Sequence, residues 1–248
     1  MSLDAILFDK DGTLIDFDAT WGPAAYEVMR ILSAGDAAVF ASLVRISEYV
    51  EPERRFRPTS PLIAGSSATY GPLWAEALGR PAGPELYREM DELFGTHSLK
   101  SLAPIAEPQA VLGALRRMGL VLGIATNDSE GAARAQAEAL GLTDHLAYVA
   151  GYDSGHGSKP GPGMVLGFAR ACGIDPRRVA LVGDSLHDLH CARAAGAVAV
   201  AVLSGPLREA ARADLEPHAD HVIASIAALP ALVERLRAGA EAGPAPKA

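Results

Sequence analysis

Three apolar runs in this chain stop abruptly at acidic or hydroxyl-bearing residues, and that recurrence constrains the fold more than any other feature. Ala5-Ile6-Leu7-Phe8 runs into Asp9-Lys10-Asp11-Gly12-Thr13, Leu120 to Ala125 runs into Thr126-Asn127-Asp128, and Val179 to Val182 runs into Gly183-Asp184. Near-continuous hydrophobic runs of this length read as parallel strands covered on both faces. Open parallel sheets place their ligands outside the C-terminal ends of the strands. The three polar endings should therefore meet along one edge, although they are far apart in sequence.

The remaining pattern supports such a sheet. From Ile105 onward helix and strand alternate: helices are expected at Glu107 to Met118, Ser129 to Leu140, the end of a Gly-rich loop to Cys172, Asp188 to Ala195 and Ile226 to Arg237. Further strands are expected at Ala147 to Ala150, Val198 to Leu203 and around His221 to Ile223. Such alternation implies right-handed crossovers and an α/β, doubly wound, Rossmann-like parallel sheet. The stretch from Asp16 to about residue 103 differs: it has helical periods and no convincing strand. Helices are expected at about Ala24 to Leu32, Ala37 to Val50, Pro61 to Leu78 and Gly83 to Phe94, with Gly35-Asp36 serving as stop and new N-cap. The expected organisation is a catalytic core of residues 1–15 and 104–237, an inserted α-helical domain of residues 16–103, and a flexible Ala/Gly/Pro-rich tail of residues 238–248.

Composition excludes several functions. A net charge of −8 argues against a nucleic-acid binder, which would show a basic face. No apolar run approaches membrane-spanning length, so no membrane partner is expected. Met1 is followed almost at once by the first strand, which leaves no room for a signal peptide. Only Cys172 and Cys191 are present, too few for a disulfide framework, and the expected compartment is the cytoplasm.

The aspartates are the chemical core of the reading. Asp9 and Asp11, crowded at a strand end, repel each other and lose water, and a divalent cation is the simplest offset. A helix cap or an Asp-Gly turn is the alternative for this stretch taken alone. Gly183-Asp184-Ser185-Leu186-His187-Asp188 offers a second carboxylate pair, Thr126 a hydroxyl, and Lys159-Pro160 a cation in the Gly-rich loop. In this order the set resembles the haloacid dehalogenase superfamily, whose phosphatases carry DxDGT, a Thr or Ser, a Lys and an acidic GDxxxD motif.

The resemblance implies roles. Asp9 would be the nucleophile and Asp11 the general acid and base. Thr126 and the Asn127 backbone N–H would hold phosphate oxygens, and Lys159 would neutralise charge. Magnesium would bind Asp9, the Asp11 carbonyl and Asp184, supported by Asp188 and Gly183. The insert would be a mobile cap, hinged near Phe17-Asp18 and Ser101 to Pro104, that selects a small phosphorylated metabolite. The start of the chain and its VGDSLHDL segment look most like phosphoglycolate phosphatases, which implies 2-phosphoglycolate as a substrate. A phosphomutase like β-phosphoglucomutase is the same-fold rival, though Thr13 stands where such mutases carry Val. A true dehalogenase would have no need of Asp11, and a catalytically silent phospho-ligand binder is the remaining alternative.

Other residues are read with less support from the set. Lys10 should point away from the aspartate pair by strand alternation. Asp188 could simply cap the helix beginning there. His156 could contact substrate or be a solvated loop residue. His187 and His190 are not expected to form a metal pair, because the oxygen-rich site suits a harder ion. Arg54, Arg55 and Arg57, with Ser66, Ser67 and Thr69 behind them, could contact a substrate anion or form a solvated charged turn. The oligomer is expected to be a monomer or homodimer.

Overall fold

The computed structural model describes residues 3–63 and 65–241, without the side chains of 239–241. Its centre is a six-stranded, all-parallel sheet of β1 (Ala5–Phe8), β4 (Val121–Ala125), β5 (Tyr148–Ala150), β6 (Val179–Gly183), β7 (Val198–Val202) and β8 (His221–Ile223), in the spatial order β5-β4-β1-β6-β7-β8. Register is direct at the middle of the sheet: Leu7 lies beside Gly123 on one side and Leu181 on the other.

Strand alternation divides the apolar residues into two layers. Ile6, Phe8, Leu122, Ile124, Ala180 and Val182 face the helices α5 (Pro108–Arg117), α6 (Glu130–Ala139) and α10 (Leu229–Glu241). Ala5, Leu7, Val179, Leu181, Ala199 and Ala201 face α7 (Gly163–Cys172), α8 (Leu186–Ala195) and the short α9 (Arg212–Leu215). Coverage on both faces is why these strands read as unbroken apolar runs.

The insert packs around its own apolar cluster, with Trp74 fully buried among Val28, Met29, Leu43, Met90 and Phe94. Its helices are α1 (Phe17–Leu32), α2 (Ala37–Ile46), α3 (Ser67–Leu78) and α4 (Pro84–Ser98). Asp36 caps α2 as expected, accepting from the N–H groups of Ala38 and Val39. Helix α1 begins at Phe17 rather than about Ala24, α4 runs on to Ser98 rather than ending at Phe94, and two further boundaries differ from the sequence reading. Helix α2 stops at Ile46, because Tyr49–Val50 (β2) and Arg55–Phe56 (β3) form a two-stranded antiparallel hairpin where no strand was expected. Helix α3 begins at Ser67 rather than near Pro61, where Ser66 and Thr69 close a capping box.

The two chain crossings between core and insert run side by side. Asp16 N–H donates to the Ala103 carbonyl at 2.8 Å, and Ile105 N–H to the Leu14 carbonyl at 2.9 Å. Phe17 and Asp18, expected at a hinge, form the first turn of α1, with Asp16 as its N-cap. At the other end, α10 continues to Glu241, past the expected start of the tail at 238; residues 242–248 of that tail lie outside the described residues.

Candidate active site

The polar endings meet at the C-terminal edge of the sheet. Asp9 follows β1, Thr126 follows β4, and Asp184 follows β6, while Lys159 reaches in from the loop after β5. Lys159 is 5% exposed, and its ammonium lies 2.5 Å from Asp9 Oδ1 and 2.6 Å from Asp188 Oδ1. A loop lysine this deep is rare unless paired, so its placement argues for a built site. Burial opposes the charge on Lys159, but the Asp188 and Asp9 carboxylates outweigh it and hold the ammonium above its ordinary range. Asn127 anchors the loop from below: its side chain accepts from the Lys159 N–H at 2.8 Å and donates to the Lys159 carbonyl at 3.1 Å.

Asp188 does two things. As N3 of α8 it accepts from the Ser185 N–H at 3.1 Å and the Ser185 hydroxyl at 2.6 Å, and its other oxygen takes Lys159. One carboxylate thus both caps α8 and holds Lys159. Gly183 is required for this, since a Cβ there would lie 2.2 Å from Asp188 Cγ.

Asp9, Asp184 and Asp188 bring carboxylate oxygens within 4.8 Å of one another. Burial pushes Asp9 up to about 7, with Lys159 pulling down and Asp188 and Asp11 pushing further up. Burial likewise raises Asp184 well above the carboxylate range, and the neighbouring Asp9 and Asp188 add to it. Three crowded, poorly solvated carboxylates with hard oxygen donors fit a magnesium-like cation. The walls fit it too: a Cβ on Gly12 would lie 2.4 Å from Asp184 Oδ2, and one on Gly205 only 1.9 Å away. Gly205 lies in a loop with no periodic pattern, and the sequence reading missed it.

Lys10 corrects the sequence reading. It does not turn away from the aspartate pair. It is 2% exposed and sits 2.8 Å from Asp11 Oδ2 and 3.1 Å from Asp128 Oδ2, with its ammonium 4.7 Å from the centre of the Trp21 ring. Alternation failed as a guide because β1 ends at Phe8 and the chain has left the strand by residue 10. The Trp21 indole N–H also donates to Asp11 Oδ1. Asp128, pushed up by burial and pulled down by Lys10, completes this second charge cluster behind the first.

Above the edge the insert closes a cavity of about 860 Å³, part of it open to solvent. The core supplies Asp9, Asp11, Thr126, Lys159 and Asp184; the insert supplies Trp21, Phe56, Ser66, Ser67, Tyr70 and Asp91. Trp21, Tyr70 and Asp91 were not singled out from sequence. The expected contacts at Arg55, Arg57 and His156 are not brought here. Arg55 is exposed and pairs with Glu53 at 2.6 Å, Arg57 is exposed, and Arg54 stacks over Tyr26 at 3.5 Å. His156 packs toward Tyr148 and α7, where a Cβ on Gly167 would meet its ring at 2.9 Å. His187 lines the cavity without joining the carboxylate group, and His190 faces the His218 ring at 4.9 Å.

Comparison with known proteins places this geometry. A family model for haloacid dehalogenase-like hydrolases matches residues 3–196. A phosphoglycolate phosphatase of Chromobacterium violaceum is 31% identical over 212 residues, covering 81% of this chain and 85% of that protein. An N-acetylmuramic acid 6-phosphate phosphatase of Pseudomonas aeruginosa is 27% identical over 205 residues, covering 83% and 84%. A crystal structure of a Deinococcus radiodurans hydrolase with bound phosphate and sodium shares the fold at a TM-score of 0.61 and 22% identity, over 94% of this chain and 96% of that one.

Proposed function

Since the chain belongs to the haloacid dehalogenase-like hydrolases, we propose that it is a magnesium-dependent phosphatase that cleaves a small phosphorylated metabolite through an aspartyl-phosphate. The observation that carries the reading is the Asp9–Lys159–Asp188 bridge, at 2.5 and 2.6 Å, built by residues from three separate stretches of chain. The relatives named above as phosphatases, each matched over more than four-fifths of this chain, support the same reaction class.

In this reading Asp9 attacks phosphorus and expels the alcohol, splitting one hard displacement into two easier ones. Asp11 protonates the leaving oxygen and then takes a proton from the hydrolytic water. Lys159 is already placed against Asp9, so its charge meets the phosphoryl oxygens without reorganisation. Thr126 accepts from the Asp128 N–H at 3.0 Å through its hydroxyl oxygen, which orients that hydroxyl to donate to a phosphate oxygen beside the Asn127 N–H. Asp9, the Asp11 carbonyl and Asp184 would hold the cation, with Asp188 committed to Lys159 and Ser185 in support. Bound there, magnesium would supply charge neutralisation for the phosphoryl group. The insert acts as a cap that keeps bulk water from the first step. No helix among the described residues is long and apolar enough to cross a membrane, and a cytoplasmic enzyme acting on a diffusible ester is consistent with two free cysteines.

The test is phosphate release with magnesium over a panel of esters that includes 2-phosphoglycolate, sugar phosphates and nucleotides. Release of no phosphate from any of them would defeat the reading. Transfer back to a sugar, seen by product analysis with a sugar 1-phosphate, would favour the phosphomutase alternative.

A further inference from the structure

The cavity above Asp9 has two halves of different chemistry. The half against the sheet edge is where charge is matched: Lys159 against Asp9 and Asp188, and Lys10 behind it against Asp11 and Asp128. The half against the insert is walled by the rings of Trp21, Phe56, Tyr70 and Phe94, and it carries a single charge, Asp91. Among the described residues Lys159 is the only lysine or arginine that lines the cavity. The insert's own arginines are used elsewhere, Arg54 on Tyr26, Arg55 on Glu53 and Arg80 on Glu89. Arg208 belongs to an adjoining groove and lies 3.5 Å from Asp16.

Asp91 is held by neutral donors from both sides of the cavity. The Ser67 hydroxyl donates to Oδ1 at 2.5 Å, and the Tyr152 hydroxyl, from the core loop, donates to Oδ2 at 2.6 Å. Neither donor cancels its charge. A carboxylate fixed in this way repels an anion brought beside it, and partial burial leaves that repulsion poorly screened. Each Asp91 oxygen keeps a further lone pair, so a substrate hydroxyl can donate to it. The surrounding rings offer apolar faces against which C–H groups pack.

Resting on the phosphatase reading, we propose that Asp91 is a specificity-determining residue. It makes the site select phosphomonoesters whose alcohol brings a hydrogen-bond donor, the class that includes sugar phosphates, over esters whose alcohol carries a carboxylate. The part of the substrate that reaches the insert is recognised by hydroxyl donation to Asp91 and by packing on Trp21 and Phe94. The phosphoryl end is left to the charged sheet edge.

Three esters of matched size isolate the charge: 2-hydroxyethyl phosphate, 2-phosphoglycolate and phosphoethanolamine differ only at the group remote from phosphorus. With magnesium, the wild-type kcat/KM for 2-hydroxyethyl phosphate should exceed that for 2-phosphoglycolate by at least about tenfold, a ratio expected of one poorly screened like-charge contact. The value for phosphoethanolamine, whose ammonium the same carboxylate attracts, should exceed that for 2-phosphoglycolate as well. In Asp91→Asn, which keeps the shape and one accepted hydrogen bond while the amide NH2 donates to the other hydroxyl, the ratio of hydroxyl ester to acid should fall at least about fivefold. A purely structural role for Asp91 would lower all three esters together and leave the ratio in place, which would overturn the proposal. So would a wild-type preference for 2-phosphoglycolate over either of the other two esters, and those wild-type ratios decide the matter even if the variant fails to fold. Turnover of none of the three, nor of p-nitrophenyl phosphate, would instead defeat the phosphatase reading on which the proposal stands.

Discussion

The sheet edge and the insert face the same cavity and are built on opposite electrostatic terms. At the edge, Asp9, Lys159, Asp188, Lys10, Asp11 and Asp128 form one buried and one half-buried cluster with separations between 2.5 and 3.1 Å. In the insert the charged pairs are on the outside, Arg80–Glu89 and Arg55–Glu53 among them, and the wall facing the cavity carries no charge apart from Asp91. Exposed pairs contribute about 0–1 kcal/mol each, whereas a buried charge deprived of its partner costs several times that. The edge is thus committed to holding charge in place, and the insert is free to vary what it admits.

The largest effect that could break this contrast is at Lys10. Lys10→Met would leave Asp11 and Asp128, both half-buried, without their shared cation, and we expect about 2–3 kcal/mol of lost stability, below the full cost of breaking a buried pair. Denaturant unfolding measures it, and a loss below about 1 kcal/mol would return Lys10 to an ordinary surface-type pair. Next is Gly205→Ala, whose Cβ would displace the Asp184 carboxylate. Magnesium-dependent activity should fall about 10–100-fold, as expected when the support of a metal ligand is disturbed, with the fold intact by circular dichroism. Unchanged magnesium dependence would mean that Asp184 is not a ligand.

Protonation offers a test of similar size. Asp9 is raised from 3.8 to about 7 in the folded protein. Between those values the unfolded chain has released its proton and the folded protein keeps it, so stability falls as pH rises. The stabilising contribution of protonated Asp9 is complete below about pH 4 and lost above about pH 7. In metal-free protein Asp9 should contribute about 2 kcal/mol of the loss between pH 5 and pH 7, so the loss in Asp9→Asn, where Asp184 still titrates, should be smaller by about that amount. Parallel pH profiles for the two proteins would contradict the burial argument. Smallest of all, Arg55→Ala with Arg57→Ala should change kcat/KM by less than about twofold and stability by less than about 0.5 kcal/mol. A larger change in substrate preference would bring the cap arginines back into the site.

The same contrast explains what was legible in the sequence. Asp9, Thr126 and Asp184 could be read because each closes an apolar strand, and a parallel sheet delivers all such endings to one edge. The sheet and its two helix layers followed from the same runs. Lys10 was misread because periodicity carries no information beyond the strand that generates it, and β1 had already ended. Trp21 and Asp91 lie in α1 and α4, where core-facing and cavity-facing positions share one helical period; only the packing of the insert against the edge separates them. Tyr152 and Gly205 sit in loops, where no periodic signal exists. The Arg54 to Arg57 cluster was conspicuous for the opposite reason, because charge grouped on a hairpin is visible in a sequence whether or not it faces a site.

Acid-quenched turnover shows whether Asp9 is the nucleophile of a phosphatase. With magnesium and a hydrolysable phosphate ester, wild-type protein should release phosphate and, when quenched in acid during turnover, carry a phosphoryl group on Asp9. Asp9→Asn should retain its fold, carry no such group and lose at least about 10³-fold in kcat, the scale of loss expected when a covalent nucleophile is removed. Phosphate release by Asp9→Asn at a rate near that of the wild type would contradict the account.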